Sequence, residues 1–134
     1  GGILAVQMPR QFGAPSHRFL RDIAQSMYPD RFDFTGWESP VQPATCYWRM
    51  LVPLGEVDAW ETEYVQRLAP TAGGHPVLRF TESTAMRPFL EKLNEAETAE
   101  FVARYEAALH SAYPIEADGS VLFPFRRLFF TLKV

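Results

Sequence analysis

The sequence predicts an α/β fold built on only three strands, and three observations carry that reading. Ile3-Leu4-Ala5-Val6 is a short, continuous apolar run, the pattern of a strand buried on both faces of a sheet. Residues 57–65, "VDAWETEYV", alternate cleanly, with Trp60, Thr62 and Tyr64 on one face and Val57, Ala59, Glu61, Glu63 and Val65 on the other. Around them lie segments whose apolar residues recur at helical spacing. Strand, helices, strand, helices, strand is an α/β order, with too few strands for a complete doubly wound sheet.

The elements follow in order. The chain has no initiator Met and enters its first strand at once, so residue 1 is expected to be a cut edge and not a natural beginning. "PSHRFLRDIAQSM" predicts a helix with Ser16 as N-cap and Phe19, Leu20, Ile23, Ala24 and Met27 as one apolar stripe. Residues 29–43 are rich in Pro, Gly and polar residues and predict loop. "ATCYWRMLVPLG" predicts a short helix closed by Gly55, with Pro53 in its last turn. After the 57–65 strand, Gly73-Gly74 breaks the chain, residues 76–82 predict a short helix and residues 86–93 another turn or two, with Pro88 tolerated in the first turn. "NEAETAEFVARYEAALHSAYP" predicts the longest helix, capped by Asn94 with Glu97 completing the box, lined by Phe101, Tyr105, Leu109 and Ala112, and ended by Pro114. Asp118-Gly119 marks a turn, and "VLFPFRRLFFTLKV" predicts a last strand interrupted by Pro124.

Composition narrows the function classes. The 134 residues suffice for one domain with its own core. A net charge of −3 and an isoelectric point near 5.6 carry no electrostatic footprint for nucleic acid or an anionic membrane surface. A single cysteine, Cys46, excludes an internal disulfide and any CxxC metal site, and it has no paired base nearby in sequence. His17, His75 and His110 are too scattered for a zinc motif. No apolar run reaches the ~18 residues of a membrane span and no signal segment is present, so a cytoplasmic, metal-free protein is expected. There is no GxGxxG, P-loop, G-x-S-x-G or HExxH.

Among the candidates for chemistry, arginine dominates. All basic residues except Lys92 and Lys133 are Arg, whose planar fork suits carboxylates. Arg87 stands between a Thr-rich bend and Pro88-Phe89, a way of presenting a pocket arginine, although a surface salt bridge is the plain alternative. Arg126 and Arg127 lie in a strand of Phe and Leu; alternation sends them to opposite faces, and the inward one needs an anion, from a substrate or a structural carboxylate. His17, at a helix start just after a strand, stands where ligands bind in open α/β sheets, and equally where a structural histidine stands. The Trp60-Thr62-Tyr64 face is either core or a wall offering hydroxyls and an indole N–H.

Taken together, these segments resemble the C-terminal portion of the trans-aconitate 2-methyltransferase family. "GGILAVQMP" resembles the family's strand ending in Q-M-P, and "PSHRFLRDIA" the helix after it. "VDAWETEY" is similar to its W-x-T-x-Y strand and "STAMRPFL" to its T-G-L-R-P-F/W element. "AYPIEADGSVLFPFRRLFF" resembles the closing Y-P…G-x-[IV]-L-x-x-F-x-R-L-F segment. The resemblance implies a partial Rossmann-like methyltransferase sheet: three C-terminal strands over about residues 3–8, 57–65 and 126–133, the last one antiparallel, with helices forming a substrate-side cap. It implies that residues 1–134 are the substrate-side part of an S-adenosylmethionine-dependent enzyme, with the cofactor-binding part upstream and the isolated piece inactive. It further implies a substrate site of Arg87, Arg127, His17, Trp60, Thr62 and Tyr64, with Gln7 facing the methyl donor. Arginines would then pin the carboxylates of trans-aconitate, or of a similar polycarboxylate, that do not react.

Two other readings stay open on the residues alone: a module that captures an acidic metabolite without chemistry, and a structural or oligomerisation domain in which rings and arginines only pack. Under any of them, an apolar first strand lacking a neighbour is expected to drive homodimerisation or rearrangement through residues 3–8.

Overall fold

The computed structural model describes residues 1–134. Its elements are β1 (Ile3–Pro9), α1 (Pro15–Met27), α2 (Ala44–Leu51) running into a 3-10 turn (Val52–Leu54), β2 (Glu56–Leu68), α3 (Pro76–Thr81), α4 (Arg87–Leu90), α5 (Glu95–Ala112) and β3 (Val121–Lys133). The strands form one sheet in the order β1-β3-β2, so the last strand lies in the middle and runs antiparallel to β1, with Val6 opposite Phe130 and Gln7 opposite Phe129. The chain divides into two compact units. One comprises Gly1–Phe12, Glu38–Val65 and Pro124–Val134; the other comprises Gly13–Trp37 and Gln66–Phe123.

In the first unit the core comes from the central strand. Phe125, Leu128, Phe130 and Leu132 of β3 are buried, and Tyr47 of α2 stacks on Phe130 at 5.4 Å. Gly55 follows α2 where the backbone passes the end of β3: a Cβ there would sit 2.3 Å from the Lys133 carbonyl oxygen, so no side chain fits. β3 is continuous through Pro124, where an interruption was expected. The reason is Gln11. Where the β1 ladder ends, the Arg10 N–H donates to the Arg126 carbonyl (2.9 Å), and the buried Gln11 amide then takes over as a surrogate strand. It accepts from the Arg126 N–H (2.8 Å) and donates to the Pro124 carbonyl (3.2 Å), so the proline costs the ladder nothing on that side. β1 itself is largely exposed, with Ile3 72% and Leu4 49% accessible, against the expectation of a strand buried on both faces. At the edge of a three-stranded sheet its apolar run has no layer to cover it.

In the second unit α1 packs on α5; Leu20 and Ala24 are the buried apolar residues of α1, and Phe101, Tyr105 and Leu109 those of α5. The α1 N-cap stands two residues earlier than expected. Ala14 is the N-cap, Pro15 takes the first turn where a missing N–H costs nothing, and Ser16 lies buried inside the helix. α5 carries the predicted capping box: the Glu97 N–H donates to Asn94 Oδ1 (2.8 Å) and the Asn94 N–H to Glu97 Oε1 (3.0 Å). His75 caps α3, its Nδ1 accepting from the Val77 N–H (3.0 Å), which leaves Nε2–H to donate to the Tyr113 carbonyl (2.8 Å). That pairing requires a neutral ring, and burial accordingly lowers the pKa of His75. The turn before β3 needs Gly119, at φ +86°.

Candidate functional site

The first unit gathers the predicted strand residues on one sheet face. Phe125, Arg127 and Phe129 alternate along β3, and Gln7, directly opposite Phe129, shares their side. From β2, Trp60 stacks on Phe129 (5.4 Å, 8° between planes) and Tyr64 leans on Phe125 (5.8 Å). Thr62 stands exposed between those two rings in the alternation. The half-buried Arg127 guanidinium lies 5.0 Å from the centre of Phe125, and its Nε–H donates to the Tyr64 hydroxyl (3.3 Å). No carboxylate pairs with it. On the opposite face Arg126 does have one, Glu63 at 3.5 Å, and Arg10 pairs with Glu61 at 2.9 Å. The two adjacent arginines thus part as alternation requires, one matched by an acid and one held by rings and a phenol. Ala5, Val6, Gln7, Trp60, Phe129, Phe130 and Thr131 line an open, mostly apolar groove of about 250 Å³.

The second unit holds His17 and Arg87. The Ser16 hydroxyl meets His17 Nδ1 at 2.9 Å, and burial first, then the nearby Arg21 charge, lower the histidine's pKa, so the neutral ring is favoured at pH 7. Arg87 opens α4 and is exposed, with no acidic side chain bound to it. Its backbone is nonetheless anchored on both sides. The Met86 N–H donates to the Thr81 carbonyl (3.0 Å) and the Arg87 N–H to the Thr84 carbonyl (3.3 Å), while Phe89 packs on Phe32 and Phe101.

A buried hydrogen-bond chain joins the segments bearing these two residues. The Tyr105 hydroxyl donates to the Ser16 carbonyl (2.6 Å) and also meets Thr81 Oγ1 (3.2 Å), and the Ser16 N–H donates to the Tyr113 hydroxyl (3.1 Å). A carbonyl only accepts, so the phenol's one proton goes to Ser16, and the single Thr81 hydroxyl proton is shared among the Val77 carbonyl (3.1 Å), the Leu78 carbonyl (3.2 Å) and the phenol oxygen. Burial pushes the Tyr105 hydroxyl up to about 12, which keeps it a donor. Sequence spacing did not single out Tyr105, because its place on the α5 apolar stripe reads as packing. Nor did it single out Arg21, whose guanidinium lies 3.8 Å from the centre of the Trp37 ring; the available signal was its position four residues after His17. No group of three or more His, Cys, Asp or Glu side chains is placed to hold a metal ion, and no helix is long and apolar enough to cross a membrane.

Comparison with known proteins gives a consistent relationship. No protein-family model matches the chain. It is 39% identical over 145 residues to a trans-aconitate 2-methyltransferase of Methylobacterium nodulans, covering 99% of this chain and 52% of that protein. It is 42% identical over 132 residues to one of Streptomyces avermitilis, covering 96% and 48%, and 33% identical over 134 residues to one of Escherichia coli, covering 98% and 50%. The chain therefore spans about half the length of the curated relatives it matches.

Proposed function

We propose that this chain, which corresponds in sequence to a C-terminal portion of the trans-aconitate 2-methyltransferases, is the substrate-side part of an S-adenosylmethionine-dependent enzyme that esterifies one carboxylate of trans-aconitate or a similar polycarboxylate. The observation that carries the reading is Arg127: a half-buried guanidinium on an aromatic sheet face, oriented by Tyr64 and supplied with no carboxylate of its own. A cation in such a setting is expensive unless an anion meets it, and Arg87 is likewise without an acidic partner.

The chemistry asks little more of this part of the protein. A carboxylate at pH 7 is already ionised and already a nucleophile, so no general base is needed. S-Adenosylmethionine, when bound, supplies a sulfonium methyl group open to in-line displacement. The residues here then have two tasks, orienting the acid and excluding water. Arg127 and Arg87 grip carboxylates that do not react. His17, which meets the Ser16 hydroxyl through Nδ1 and which burial favours as the neutral ring, adds a polar contact to the acid. Trp60, Thr62 and Tyr64 form a wall, and Gln7 at the end of β1 is the contact offered to the methyl donor. The groove beside Gln7 is too small and too apolar to hold a nucleoside-bearing donor. A cytoplasmic location fits a soluble polycarboxylate substrate.

The test is methyl transfer to trans-aconitate by the full-length protein that contains this chain. Arg87→Ala and Arg127→Ala should each lower kcat/KM by the equivalent of ~2–4 kcal/mol, the loss expected for a two-pronged clamp on a charged group. An Arg87→Ala enzyme whose kcat/KM stays within about threefold of wild type would remove that residue from the site.

A further inference from the structure

His17 and Arg21 lie four residues apart on α1, hence on one helix face and one turn from each other. Arg21 is half-buried, with its guanidinium stacked 3.8 Å from the centre of Trp37. Such a contact restrains the group while leaving it N–H donors for a planar two-oxygen acceptor. Nothing in the chain fills that place. Ion pairs occupy Arg10, Arg31, Arg67, Arg79, Arg104 and Arg126, whereas Arg21 has none, and its neighbour Asp22 forms no bridge to it. Burial lowers the pKa of Arg21; the nearby Asp22 charge opposes that, and the Arg18 charge, lying 5.5 Å from the centre of the Phe19 ring, adds to it. The arrangement is a half-buried guanidinium set against a ring, reached through space by the Asp22 charge but joined to no carboxylate in an ion pair.

We propose that Arg21, clamped by Trp37, binds a carboxylate of the substrate in concert with His17 and so selects acids by their number of carboxylates. This deepens the polycarboxylate reading and rests on it. The rise of one helical turn is about 5.4 Å, so the two positions lie close enough along the helix for two carboxylates of one small di- or tricarboxylic acid to meet them, whereas a monocarboxylate has only one to offer. Selectivity follows from the unused fork: an acid lacking the second carboxylate leaves Arg21 half-buried and unpaired.

The experiment uses the full-length protein with trans-aconitate and with mono-, di- and tricarboxylate analogues. Arg21→Gln should raise KM for the tricarboxylate by about 10- to 100-fold and leave KM for S-adenosylmethionine unchanged. It should also compress the preference for tricarboxylates over monocarboxylates, an effect that a merely structural role would not produce. Arg21→Lys should recover part of the loss, since charge returns without the fork, and Trp37→Leu should err in the same direction as Arg21→Gln. A tricarboxylate KM within about threefold of wild type for Arg21→Gln, in a protein where Arg87→Ala is impaired, overturns the inference and leaves Arg21 a packing residue. Should Arg21→Gln fail to fold, wild-type KM values for both Arg21→Lys and Trp37→Leu overturn it equally. A wild-type protein that methylates no polycarboxylate overturns the function proposed above instead.

Discussion

Glu97 shows how much a single side chain can carry when two kinds of partner converge on it. Its carboxylate closes the α5 capping box through the Asn94 N–H and also receives both prongs of Arg31, Nη1 to Oε1 at 2.7 Å and Nη2 to Oε2. The Arg31 hydrogen bonds first, and the Asn94 N–H second, hold its pKa at about 2, down from 4.5. A carboxyl depressed in the folded state contributes stability that is complete above 4.5 and drains away as pH falls toward 2, because the unfolded chain takes up the proton first. Thermal melts between pH 7 and pH 2 should therefore show a Glu97→Gln variant less stable than wild type at neutral pH and converging on it in acid. Parallel curves across that range would mean that the pair contributes nothing to the pH dependence. The cap half of this arrangement was legible in the N-x-x-E spacing. The Arg31 half was not, because it joins positions 66 residues apart.

At the scale of elements, the buried chain from Ser16 through Tyr105 to Thr81 decides how α1, α3 and α5 meet. The sequence predicted all three helices, α1 and α5 from apolar stripes that need only local spacing to be seen. It also placed Tyr105 on the right stripe, yet it could not show that the ring's hydroxyl spans two other helices. The same limit explains Ser16, read as an N-cap because it precedes the stripe, while Pro15 claims the first turn and the Ser16 backbone is committed to Tyr105 and Tyr113. It explains Gln11 too, whose partners lie on a strand more than a hundred residues on. A Tyr105→Phe substitution keeps the packing but removes the phenol's hydrogen bond to the Ser16 carbonyl, at a cost of about 0.5–1.5 kcal/mol. Urea melts should resolve that as a lower midpoint with an unchanged slope. A variant as stable as wild type would show that the phenol is not a structural link. In the full-length protein the same change should weaken polycarboxylate binding more than methyl-donor binding, since Ser16 positions His17.

For the whole molecule, the decisive feature is the contrast between the sheet's two outer strands. β2 carries Glu56, Asp58, Glu61, Glu63 and Arg67, charges that discourage another strand from pairing there. β1, "ILAVQMP", carries none, and Ile3, Leu4 and the adjacent Val134 are exposed beside it. A second copy is the occupant that fits this edge in the isolated chain: the strand can pair antiparallel with itself about a two-fold axis, satisfying backbone groups and covering apolar side chains in one step. In a longer protein, preceding residues would compete for the same edge, so the prediction belongs to residues 1–134 alone. Sedimentation of that chain should show a concentration-dependent dimer, and Ile3→Lys should return it to monomer, because the two-fold axis brings the like charges together. A wild-type chain that remains monomeric at every concentration, with β1 protected from hydrogen exchange no more than its exposed edge implies, would show that water satisfies this strand unaided.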